Sequence, residues 1–87
     1  MTDRYQIRSN RDVLMIPLNP NEPGFIFEFK KIDKPEAKNA SDAMQSALAQ
    51  IQKQQYAAEL REHEVKQIWG IGGVVSGKRV WVESIAL

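Results

Sequence analysis

Asp12, Glu28 and Lys30 combine reactive side chains with an arrangement that ordinary strand packing does not explain. Glu28 and Lys30 bracket Phe29 in the run Phe25-Ile26-Phe27-Glu28-Phe29-Lys30-Lys31-Ile32, a strongly apolar stretch with period-two alternation. Residues two apart in a strand leave on the same face, so Glu28 and Lys30 share a face with Ile26 while Phe25, Phe27 and Phe29 take the other. A strand interior avoids charge because an unpaired buried charge is costly. Asp12 stands near the start of the preceding apolar stretch, on the face of Leu14 and Ile16. Paired as a hairpin, the two stretches bring Asp12 and Glu28 together at the end of a sheet. Neighbouring carboxylates repel, and a hard divalent cation such as Mg²⁺ prefers such oxygen ligands while keeping several waters. A cation so held acidifies a bound water and neutralises charge on a phosphate. A lysine on the same face orients that water or stabilises the transition state. The bland alternative is a solvated strand face with a cross-strand ion pair, Asp12 being a turn residue that closes the hairpin.

The elements that would hold these groups follow from the pattern. Arg4–Arg8 reads as a short strand, Ser9-Asn10 as a tight turn and Asp12–Leu18 as a more apolar strand. Asn19–Gly24 is dense in turn formers, and Phe25–Ile32 is the clearest strand, its aromatic ladder expected to be core beneath a helix. Ser41 is the expected N-cap of a helix reaching about Gln54, with Ala40, Met44, Ala47, Leu48 and Ile51 on one stripe. Tyr56–His63 predicts a second helical stretch. Lys66–Val75, with Gly70, Gly72 and Gly73, predicts a buried strand where another backbone approaches closely. Ser76-Gly77 is a turn and Arg79–Ile85 a closing strand. The order β-β-β-α-α-β-β points to a sheet with helices packed on it.

Composition narrows the function classes. The 87 residues suffice for one small domain, expected to span 1–87, and the net charge is only +1. Any nucleic-acid contact must therefore come from a local patch; Lys30, Lys31, Lys34 and Lys38 form one such stretch. The chain has no cysteine, which removes thiol chemistry and fits a cytoplasmic setting. The segment Gly72–Lys78 mimics a phosphate-binding loop. Arg79 stands where Ser or Thr should follow, however, and a strand comes next, so it reads as a β-turn. His63, flanked by Glu62 and Glu64, is expected at an exposed helix end, which leaves zinc unsupported. Trp69 and Trp81 read as packing residues.

At the residues Asn10-Arg11-Asp12-Val13-Leu14, Phe27-Glu28-Phe29-Lys30 and Ala49-Gln50-Ile51 with Tyr56, the chain resembles the PD-(D/E)XK nuclease superfamily. More narrowly, it is similar to the nuclease-like domain at the C-terminus of AAA-ATPase-like bacterial proteins. Tyr56–Leu60 and Gly72–Val80 extend the similarity over nearly the whole chain. The resemblance implies a restriction-endonuclease-like mixed sheet of the α/β (α+β-like) class and a DNA phosphodiesterase using Mg²⁺ or Mn²⁺. Asp12 and Glu28 would be the metal ligands, Lys30 would serve the water or transition state, and Gln50 would reach the site from the helix. Tyr56, Lys31 and Arg11 would contact substrate.

The chain departs from the family pattern in two respects. Ser9-Asn10-Arg11 is shorter than the usual glycine-containing connection before the aspartate, and the customary first helix is missing. The chain is thus expected to be a trimmed domain or a fragment of a longer architecture. The face left under-covered makes homodimerisation an expectation, and an ATPase domain is the partner that relatives suggest. The alternative to a working nuclease is a catalytically impaired module for DNA binding or protein interaction.

Overall fold

A computed structural model describes residues 4–9, 12–53 and 55–87. The chain runs β1 (Tyr5–Ser9), β2 (Val13–Pro17), β3 (Gly24–Lys31), α1 (Ala37–Lys53), α2 (Tyr56–Glu62), β4 (Ile68–Ser76) and β5 (Arg79–Ala86), the element order expected. The strands form one mixed sheet in the order β1-β2-β3-β4-β5. Neighbours are antiparallel except the central β3–β4 pair, which is parallel and joined through both helices. This is an α+β fold of the restriction-endonuclease-like type.

Local chemistry accounts for the connections. In the β2–β3 loop the Asn19 side chain accepts from the Asn21 N–H, and the Asn19 carbonyl accepts from the Glu22 N–H. The supposed phosphate loop is the β4–β5 hairpin, in which Ser76 pairs with Arg79 and Gly77 adopts φ +58°. After α2 the Val65 N–H returns to the Leu60 carbonyl and the Glu64 N–H to the Arg61 carbonyl, a Schellman closure. Leu60 and Val65 meet in the core beneath it, and His63 is exposed.

Two expectations are corrected. Helix α1 begins at Ala37, so Ser41 and Asp42 lie inside it and not at its cap. The Ala40 N–H already donates to the Glu36 carbonyl. Pro35 sits just ahead of this first bond, where its missing N–H costs nothing, so the helix can start directly behind it.

The second correction concerns which face of β3 is core. Both helices cover the face of Ile26, Glu28 and Lys30; Phe25 and Phe27 are half-buried and Phe29 is exposed. Leu14, Ile16, Ile26 and Ile68 pack with Ile51 of α1 and Leu60 of α2, while Val74 packs with Ala40 and Met44. The cause lies in β4. Its register sets Gly70 beside Ile26 and Gly72 beside Glu28. A Cβ at Gly72 would lie 2.7 Å from Met44 Sδ and 3.0 Å from Leu48 Cδ2, and one at Gly70 3.0 Å from Ile51 Cγ2. Helix α1 lies close to the sheet because this face is floored by glycine and slim aliphatic side chains.

Two outcomes follow from this packing. Gly72→Val should destabilise the protein by about 1–3 kcal/mol through overpacking beneath α1, read by urea unfolding. Glu64 holds a left-handed φ of +65° that costs a non-glycine residue about 1 kcal/mol or more. Glu64→Gly should therefore raise Tm by several degrees, and an unchanged or lower Tm would show that this turn is not strained.

Candidate active site

The site is built where β2, β3 and α1 meet. In the β2–β3 register Val13 faces Phe27 and Leu14 faces Ile26. Asp12 directly precedes β2, and Glu28 follows Phe27 on the helix-covered face of β3. Asp12 is 2% exposed and Glu28 7% exposed, the two buried carboxylates of the described chain. Asp12 is thus buried just ahead of β2, on the side of the sheet that α1 covers.

Lys30 and Gln50 complete the cluster. Lys30 Nζ lies 3.4 Å from Glu28 Oε1 and donates a 2.9 Å hydrogen bond to Gln50 Oε1. Gln50 Nε2 in turn donates to Asp12 Oδ1 at 3.3 Å. A primary amide is suited to this position, since its carbonyl accepts from the ammonium and its NH₂ gives to the carboxylate. An acid or a base at residue 50 would serve only one of the two. Gln50 stands one residue before Ile51, which anchors the core, so α1 docking sets its reach. Neighbouring glutamines 52 and 55 are exposed, so helical phase separates Gln50 from a merely glutamine-rich surface.

Tyr56 and Lys31 stand outside this four-residue network. The half-buried Tyr56 opens α2 and packs against the core cluster of Leu14, Ile16 and Ile26. Lys31 is exposed and leaves β3 on the face opposite Lys30. Arg11 lies outside the described residues. In the sequence Arg8 is one polar residue of an alternating strand. It pairs with Glu59 and thereby ties the outer strand β1 to α2. Nothing in the sequence pattern alone announces that pair.

The donor set defines which metal would suit the site. Asp12 and Glu28 offer only oxygen donors, the chemistry of Mg²⁺ or Mn²⁺ and not of a soft metal. Among the described residues no group of three or more His, Cys, Asp or Glu converges. A small hard cation tolerates this, because it draws the rest of its shell from water and substrate. Among these residues no helix is long and apolar enough to cross a membrane.

The model of the PD-(D/E)XK nuclease superfamily matches residues 5–85. The chain belongs to this superfamily and is a nuclease-like domain. No curated protein and no solved structure matches it.

The Lys30–Glu28 contact generates a stability prediction. Lys30→Met leaves a buried carboxylate without its ammonium and should cost about 1–3 kcal/mol, the lower end reflecting the partial exposure of Lys30. The same substitution made in Glu28→Gln should cost measurably less. Equal losses in the two backgrounds would mean that the pair is not coupled.

Proposed function

We propose that the chain is a metal-dependent nuclease that hydrolyses DNA phosphodiester bonds at the Asp12–Glu28–Lys30–Gln50 cluster. The observation that carries this reading is the connected network itself, which joins Asp12 ahead of β2, Glu28 and Lys30 of β3 and Gln50 of α1 in a part-buried cluster. Asp12 and Glu28 would hold Mg²⁺ or Mn²⁺. Once bound, the ion supplies an activated water and neutralises charge on the scissile phosphate.

The protein's own groups do the remaining work. Lys30, two residues beyond Glu28 on the same face, directs its ammonium to where negative charge grows on the attacked phosphate or its nucleophile. Gln50 holds that ammonium and the Asp12 carboxylate in a fixed relation, which lowers the cost of ordering them during reaction. Burial strengthens each of these electrostatic contacts relative to water. Tyr56 and Arg11 are proposed substrate contacts, whereas Lys31 leaves β3 on the opposite face of the sheet and points away from the cluster.

The test is cleavage of plasmid, linear duplex and single-stranded DNA with Mg²⁺, Mn²⁺ or chelator, beside Glu28→Gln and Gln50→Ala. Metal-dependent cutting should fall at least about 100-fold in Glu28→Gln and about 10–100-fold in Gln50→Ala, where only a supporting partner is lost. Independently of turnover, Mn²⁺ should raise the Tm of the wild type and not of Glu28→Gln. No cutting and no metal-induced rise in Tm would falsify the assignment. Retained DNA affinity without turnover would select the impaired, binding-module reading instead.

A further inference from the structure

The face of the sheet opposite the helices is covered by no element of the described chain. Following the register across it, β1 contributes Tyr5 and Ile7, β2 Val13 and Met15, and β3 Phe25, Phe27 and Phe29. Trp69, Ile71 and Val75 of β4 and Val80 and Val82 of β5 continue it. Tyr5, Phe25, Phe27 and Phe29 form a chain of ring contacts with centroids 6.1–6.2 Å apart, the last two rings nearly parallel at 5°. Ile7, Phe29, Val80 and Val82 are 64%, 57%, 59% and 67% exposed. The sole charged side chain in these rows is Lys31, at the end of β3.

We infer that this face packs against the same face of a second copy of the chain, sheet on sheet. Size supports that occupant. Five strands about 4.8 Å apart and five to nine residues long cover on the order of 550 Å². That is at the upper end of the largest apolar patches of typical monomers, and about two-thirds of the roughly 800 Å² per partner of a standard stable interface. Charge supports it too. A surface this nearly neutral meets its own copy without opposing like charges, and sheets stack about 10 Å apart with their inner side chains interdigitated. A base-stacking platform for single-stranded nucleic acid would need cations beside its aromatics to track phosphates, and these rows offer only Lys31.

The arrangement has defined consequences. β3 is the middle strand, so a two-fold axis between the sheets sets the Phe29 region of one protomer near that of the other. Both Asp12–Glu28 sites then lie on outer faces and point away from each other. The paired sheets thus present two independent sites, not one site that faces both strands of a duplex at one position.

Sedimentation of the 87-residue chain over about 1–100 µM should give a mass near twice 9.9 kDa. Ile7→Lys and Val82→Lys alter exposed side chains and should each raise the dimer dissociation constant at least about 10-fold, with unchanged circular dichroism. Because the chain has no cysteine, Phe29→Cys supplies a single handle, and a bis-maleimide spanning about 10 Å should link two copies. A monomer throughout that range overturns the inference, as does a dimer that both lysine variants leave intact and Phe29→Cys fails to cross-link. Binding of a single-stranded oligonucleotide that protects this face in a monomer overturns it in favour of the stacking platform.

Discussion

Two buried carboxylates linked through one lysine and one glutamine are the demand around which this small domain is organised. Asp12 and Glu28 sit in a sheet otherwise packed with Leu14, Ile16, Ile26 and Val74, where charge is expensive. Lys30 and Gln50 meet that demand, and each is delivered by an element that must be correctly placed for other reasons. Lys30 needs β3 in its register, and Gln50 needs α1 lying close to the sheet. The glycines of β4 permit that approach, so residues distant from the cluster govern its geometry. Stability and the proposed chemistry thus draw on the same contacts.

Much of the fold is legible in the residues because its signals are local. Alternation marks β3 and β5, turn formers mark the loop after β2, and the Ala40–Met44–Ala47–Ile51 stripe marks α1. The start of α1 was less legible. A serine and an aspartate in favourable cap positions compete with a proline-led start four residues earlier, and packing decides between them. The identity of the core face was not legible at all. Period two separates Phe25, Phe27 and Phe29 from Ile26, Glu28 and Lys30, yet it is silent on which set a helix will cover. Only the parallel register with β4, a relation between distant segments, places Gly70 and Gly72 on the Ile26 side.

The candidate site divides along the same line. Glu28 and Lys30 stand out within one strand, since opposite charges two residues apart interrupt an apolar run. Asp12 becomes meaningful only through hairpin register, and Gln50 only through the family pattern and the helical phase that turns it inward. Arg8 and Glu59 lie beyond both kinds of signal. They join because β1 and α2 happen to share a side of the sheet, a fact of tertiary arrangement.

The central parallel pair also dictates how the domain can be reached from the unfolded chain. Every partner in the β3–β4 ladder lies 44 positions away along the sequence, from Gly24 with Ile68 to Lys31 with Val75. Closing so long a loop loses chain entropy before any ladder contact repays it, and non-local pairing of this kind makes folding slow. The β1–β2–β3 meander and the helices are local, so they can form early, but α1 has no glycine floor to settle on until β4 arrives. The Gln50 bridge therefore closes at the same late event that completes the sheet. A partly folded chain exposes both carboxylates to water with no fixed partner, and the site comes into being together with the fold.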